Sequence, residues 1–191
     1  MTSCYELKVI ENFYDSAESQ AIFAQLLAEQ NWPDNRYQVS GRQFTLPRLQ
    51  TWHADAGIGY SYSNNLLETR PWTPLLSNIR AKIEGFLDFS FNSVLVNLYR
   101  DGDDYVGWHA DNELELGDRP YIASLSFGAA RRLAFRHKQS SQNGSMVLAS
   151  GSLLIMQPDF QHQWLHSIPV DHSISQGRIN LTFRKVIAPA P

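Results

Sequence analysis

Ser93-Val94-Leu95-Val96-Asn97-Leu98-Tyr99 is an apolar run that ends in Arg100-Asp101-Gly102-Asp103-Asp104, after which the chain resumes with Trp108-His109-Ala110-Asp111. The acidic residues and the glycine turn the chain between two extended segments. Read as a strand, the second segment puts His109 and Asp111 at i and i+2, so the pleat sends both side chains to one face. The pair needs a third ligand to hold a metal ion, and His162-Gln163-Trp164-Leu165-His166 supplies two candidates. Two imidazoles and one carboxylate form the facial triad that binds non-haem Fe(II) while leaving positions open for a co-substrate and O2. A His-x-Asp pair also arises wherever a surface aspartate follows a half-buried histidine, so the motif depends on its context. His162 and His166 share a parity along a strand, and spacing leaves both open.

The context is Arg178-Ile179-Asn180-Leu181-Thr182-Phe183-Arg184. Its alternation is strict: Arg178, Asn180, Thr182 and Arg184 face one way, and Ile179, Leu181 and Phe183 the other. Such a strand is either a solvated edge or the wall of an anion-binding cavity. Its two arginines lie roughly 20 Å apart along an extended strand at about 3.3 Å per residue. Guanidinium arms leaning inward from those positions suit the two ends of a small dicarboxylate.

Further strand-like pieces fall at Tyr5–Ile10, Tyr37–Val39, Gln43–Arg48, Gly57–Ser63, Tyr121–Phe127, Arg132–His137, Met146–Leu148, Ser152–Met156 and His162–Val170. Short strands at regular intervals, separated by Gly, Ser, Asn and Pro, predict a sandwich or jelly roll. Two helices precede most of them. Asp15 and Glu18 have capping-pair spacing, and Ile22, Phe23, Leu26 and Leu27 recur helically to about Gln30. Thr73-Pro74 begins the second helix, with Leu75, Leu76, Ile79, Ile83 and Phe86 as its buried stripe. The expected class is therefore α+β, mostly β, with N-terminal helices bracing one sheet. Gln139–Ser145 reads as a polar hairpin loop.

A chain of 191 residues with 43% hydrophobic and 18% charged residues is enough for one globular domain. We divide it into a helix and hairpin region at 1–46, a core at 47–187 and a frayed tail at 188–191. The net charge of −3 gives no global attraction to phosphates, so nucleic acid must be met by a local patch. The densest basic cluster is Arg131, Arg132, Arg136, His137 and Lys138. A lone cysteine, Cys4, excludes an internal disulfide and a thiolate cluster. The chain lacks a signal peptide and any membrane-length apolar run, so an intracellular, soluble monomer is expected.

Several ordered blocks carry a resemblance. They are Asn97–Gly102, His109–Glu113, Ser124–Gly128, Phe135–Lys138, Gly151–Leu154, His166–Pro169 and Arg178–Arg184. Together they resemble the AlkB family of Fe(II)- and 2-oxoglutarate-dependent nucleic-acid dealkylases, and particularly the branch containing the human nuclear DNA-repair homologue. The resemblance implies a distorted double-stranded β-helix, iron held by His109, Asp111 and His166, and use of 2-oxoglutarate and O2. It selects His166 over His162, because the family's ligand immediately precedes the segment matched by Ser167-Ile168-Pro169. It also maps co-substrate contacts onto Asn97, Tyr99, Arg178, Thr182 and Arg184. The implied reaction is oxidative removal of N-methyl groups from N1-methyladenine and N3-methylcytosine, releasing formaldehyde and succinate, in repair of alkylated DNA.

Substrate contacts carried over are Tyr60, Ser61 and Tyr62, a stacking wall for a flipped base, and Asn112 and Glu113 after the ligand aspartate. Asn112 stands where the DNA-repair homologue has a second acid, so a charge facing a cationic base is lost. Val39-Ser40-Gly41 matches a hairpin that carries an aromatic wedge in that homologue. A serine cannot fill an unstacked base step as apolar wedges do, so single strands are the expected substrate. An oxygenase of the same fold acting on a protein or small molecule is the alternative. His53, His137 and His172 read as surface or loop histidines.

Overall fold

The computed structural model describes residues 6–33, 36–39, 42–58, 61–62, 65–66 and 68–187, with backbone alone at 37–39, 42, 61–62 and 65–66. In chain order the elements are β1 (Leu7–Ile10), α1 (Ser16–Glu29), β2 (Arg36–Val39), β3 (Arg42–Thr45), β4 (Leu49–Ala54), β5 (Ser61–Tyr62), β6 (Asn65–Leu66) and β7 (Thr69–Arg70). They continue as α2 (Pro74–Leu87), β8 (Ser93–Tyr99), β9 (Val106–His109), β10 (Ile122–Gly128), β11 (Arg131–His137), β12 (Asn143–Leu148), β13 (Leu153–Met156), α3 (Phe160–Gln163), β14 (Trp164–Ile168) and β15 (Arg178–Arg184). A single 3-10 turn spans Leu114–Leu116.

Parity along the central strands organises the layers. A major sheet runs β1-β13-β10-β15-β8-β4-β7 and a minor sheet β12-β11-β14-β9. From β8, β10 and β15, the residues Val94, Val96, Leu98, Ala123, Leu125, Phe127, Ile179, Leu181 and Phe183 pack against Ile22 and Leu26 of α1 and Leu76, Ile79 and Ile83 of α2. Full burial of a side chain such as Leu76 stabilises by about 1.5–3 kcal/mol. The opposite parity turns inward, where Tyr99, Ile122, Leu154 and Met156 meet Leu133, Phe135, Leu148, Trp164 and Ile168 of the minor sheet. The result is the expected mostly-β jelly roll, braced by helices on one face.

The helix starts follow the sequence. Asp15 and Glu18 form a reciprocal capping box, and the Thr73 hydroxyl accepts from Leu76 N with Pro74 in the first turn. Phe86 departs from the stripe: it is 51% exposed and meets Phe13 edge-on at 5.3 Å. The extended reading of His162–Val170 also gives way, because α3 takes its first residues and the strand begins only at Trp164. The polar loop is shorter than read, since β12 already starts at Asn143. Pro47 and Arg48 lie beyond β3, and only Ser61–Tyr62 of the Gly57–Ser63 segment is a strand among the described residues. Among those residues no helix is long and apolar enough to cross a membrane.

Candidate metal and co-substrate site

His109 closes β9, and His166 lies directly opposite it in the β14–β9 register. Strand pairing thus brings together two histidines far apart in sequence, with ring centroids 4.2 Å apart. Asp111 falls just beyond β9 and not within it, so its placement needs other anchors than the pleat. Its amide donates to Oε1 of the fully buried Gln161 at 2.9 Å, and its Oδ1 accepts from Arg184 Nη2 at 2.6 Å. Its Oδ2 stands 3.7 Å from His166 Nε2. Donor atoms of His109, Asp111 and His166 all lie within 4.8 Å of one another.

The electrostatics suit a divalent cation. His109 donates from Nδ1 to Gly107 O at 2.8 Å, which makes Nε2 the lone-pair nitrogen. Burial pushes both imidazoles down, His166 to about 3 with help from neighbouring His109, so both are neutral donors at physiological pH. Burial alone would raise the Asp111 carboxyl, but the Arg184 guanidinium hydrogen-bonded to it outweighs that and holds it below the ordinary range. Two neutral nitrogens and one carboxylate match Fe(II) with open positions. His162 is not part of this group: its ring binds the carbonyl of Asp118 from α3.

The inward row of β15 lines the same cavity with Asn97, Tyr99 and Arg48. Arg178 faces Tyr99 across β8 and donates Nη2 to Ser126 Oγ at 2.9 Å. Its Nε and Nη1 are buried with no hydrogen-bond partner among the described residues. A buried, half-satisfied guanidinium is costly unless an acceptor arrives, and a dicarboxylate's carboxylate fits that need. Asn180 donates to Ser124 Oγ and Leu125 O, both at 2.8 Å, and Thr182 donates to Asn180 Oδ1 at 2.9 Å. The two arginines are therefore unequal: Arg184 grips Asp111, while Arg178 retains open donors.

Some readings of the sequence do not survive and others fall outside. Arg131 is buried and leaves the basic patch. Lys138 donates Nζ to Gln161 O at 2.7 Å. His53 is 3% exposed, held by Pro71 O at 2.7 Å and Gln30 Oε1 at 3.0 Å, so it is no surface histidine. Ser40, Gly41 and Tyr60, and the side chains of Val39, Ser61 and Tyr62, lie outside the described residues. Asn112 is exposed and Glu113 partly buried beside the ligand aspartate. Sequence reading missed Arg48, whose Nε donates to Asn97 Oδ1 at 2.9 Å, and Gln161. Neither carried a local signal, since Leu46-Pro47-Arg48-Leu49-Gln50 and Asp159-Phe160-Gln161-His162-Gln163 are both of mixed polarity.

Jelly roll and donor set together define a non-haem iron oxygenase. The sequence profile of the 2OG-Fe(II) oxygenase superfamily matches residues 6–184. The human DNA oxidative demethylase ALKBH2 is 40% identical over 185 residues, covering 91% of this chain and 71% of that protein. Mouse alpha-ketoglutarate-dependent dioxygenase alkB homolog 3 is 38% identical over 184 residues, covering 91% and 64%. The solved structure of OsALKBH1 shares the fold with a TM-score of 0.62 at 17% identity, over 97% of this chain and 100% of that one. The chain belongs to the AlkB family within the 2OG-Fe(II) oxygenase superfamily and is an Fe(II)- and 2-oxoglutarate-dependent dioxygenase.

Proposed function

We propose that this chain is an oxidative demethylase of alkylated nucleic acid, acting on N1-methyladenine and N3-methylcytosine, favouring single strands, and releasing formaldehyde and succinate. The observation that carries the reading is the buried His109–Asp111–His166 group beside the inward arginine row of β15, in a chain whose relatives are named DNA oxidative demethylases. Loaded with Fe(II), 2-oxoglutarate and O2, such a site supplies an oxidant able to take hydrogen from an N-methyl carbon.

The protein's share is positioning. His109, Asp111 and His166 would hold the iron, and Arg184 keeps Asp111 ionised and fixed in one rotamer. Arg178 would take the remote carboxylate of 2-oxoglutarate through Nε and Nη1, with Asn97, Tyr99 and Thr182 sharing its face. Walls of Leu95, Leu133, Leu154 and Ile168 exclude water from the reacting atoms. Tyr60 and Tyr62 would stack the extruded base, with Ser61, Asn112 and Glu113 as further contacts. The phosphate-facing patch would consist of exposed Arg132, Arg136 and Lys138 with half-buried His137, and Cζ of Arg136 lies 4.5 Å from the ring centroid of exposed Trp108.

The test is formaldehyde release from a single-stranded oligonucleotide carrying N1-methyladenine, supplied with Fe(II) and 2-oxoglutarate. Release at catalytic turnover supports the reading. Succinate formation without formaldehyde from any methylated oligonucleotide would reject it in favour of a protein or small-molecule substrate.

A further inference from the structure

Arg131 is a cation buried to 1% exposure whose hydrogen-bond partners among the described residues are all backbone carbonyls. Its Nη1 donates to Asp101 O at 2.9 Å, and its Nη2 to Asp104 O at 2.8 Å and Pro169 O at 2.9 Å. Those carbonyls belong to two loops that flank the cavity: one follows Tyr99, and the other leads into Arg178. The loops are also sewn to each other, Gly102 N to Ile174 O at 2.8 Å and Asp171 N to Gly102 O at 2.9 Å. They approach so closely that a Cβ on Gly102 would stand 1.8 Å from Asp171 O. Outside, His172 and Asp103 pair at 2.6 Å.

Inside, the same guanidinium rests on Tyr99. Cζ of Arg131 is 5.5 Å, and Cζ of Arg178 5.2 Å, from the Tyr99 ring centroid. One tyrosine ring therefore has two buried cations against it. Burial, with the like charge of Arg131 adding to it, pulls Arg178 down to about 10. Both cations are costly to bury, and an anion reaching Arg178 would relieve them together. Backbone dipoles compensate Arg131 through a planar fork of donors, which the compact ammonium of a lysine cannot reproduce.

We propose that Arg131 is a positioning residue for the co-substrate: it fastens the two loops to β11 and seats Tyr99, fixing the end wall at which Arg178 receives the remote carboxylate of 2-oxoglutarate. The inference rests on the reading of Arg178 given above. Co-substrate binding and the tying of the two loops are then thermodynamically linked, and each strengthens the other.

The experiment measures binding of 2-oxoglutarate by calorimetry to the Mn(II)-loaded protein and its Arg131→Lys and Arg178→Gln variants, alongside KM for both substrates in the Fe(II) enzyme. Arg131→Lys should weaken 2-oxoglutarate binding about tenfold or more, the scale of a lost charge-assisted hydrogen bond. Its KM for 2-oxoglutarate should rise while KM for the oligonucleotide holds. Unchanged 2-oxoglutarate binding in Arg131→Lys, with Arg178→Gln binding lost, overturns the Arg131 role alone. Equal weakening toward both substrates also overturns it, marking a general structural role. Unchanged binding in Arg178→Gln overturns the reading of Arg178 and this inference with it. A measurement on the wild-type protein needs no variant to fold: adding 2-oxoglutarate should slow hydrogen exchange at Gly102 and Asp171, and no slowing counts against the linkage.

Discussion

Asp111 answers two demands that oppose each other. A metal ligand must be ionised, yet complete burial penalises its charge, and the conflict is resolved by the Arg184 guanidinium at 2.6 Å. Its backbone is fixed separately by Gln161, which also reaches Met156 Sδ through Nε2 at 3.1 Å. Gln161 therefore orients a ligand without donating to the metal. Outer partners of this kind typically change metal affinity by about 10–100-fold when removed. We expect Gln161→Leu to weaken Mn(II) binding within that range in a titration, with Gln161→Asn recovering part of it. Asp111→Ala should abolish both metal binding and turnover, and full activity in that variant would reject the ligand assignment.

The elements differ in how much of themselves the sequence exposes. β15 was readable because one face is apolar and the other polar, and helix α1 because its caps are written locally. β4 was not. Leu49-Gln50-Thr51-Trp52-His53-Ala54 does not alternate strictly between polar and apolar residues, and the buried Thr51 and His53 find partners only after distant segments pack on the strand. His53 shows this directly, since its partners Gln30 and Pro71 lie on other elements. The triad was legible only in part: spacing paired His109 with Asp111, but the partnership of His109 with His166 is a fact of strand register. Arg131 was misread because a charge run records composition and not depth.

Two outcomes belong to this scale. Asp15→Ala removes the side chain that accepts from Glu18 N at 2.8 Å and should cost about 1 kcal/mol of stability, read as a lower urea midpoint with turnover kept. Ser40→Phe supplies an apolar side chain at the position that the family resemblance matches to a wedge and should raise activity on duplex relative to single-stranded substrate. An unaltered ratio would count against the wedge argument.

At the scale of the whole molecule, the buried site makes folding depend on pH. The folded-state value of His166 lies near 3, below the ordinary 6.5 of an unfolded chain. Between those values the unfolded chain binds a proton that the folded protein excludes, so stability is full above about pH 6.5 and falls as pH drops toward 3. His109 shifts in the same direction, and Asp111 adds a further loss below its ordinary range of about 4. Chelator-stripped protein should therefore lose stability between pH 6.5 and 4, by on the order of 1 kcal/mol per pH unit for one such histidine. His166→Gln should flatten that slope in urea titrations, and an unchanged slope would place the effect elsewhere.

β15 imposes one more condition on the molecule, an evolutionary one. Its odd-numbered residues anchor the helices while its even-numbered residues furnish the reaction chamber, so the strand has no silent side on which drift can accumulate. A single-codon deletion or insertion within the strand would move every residue beyond it to the opposite face, turning arginines toward the helices or apolar residues toward the metal site and forfeiting solubility and activity in one event. Lineages of this chain should accordingly vary in length within the Gln139–Gln142 turn and hold the span from Arg178 to Arg184 at constant length.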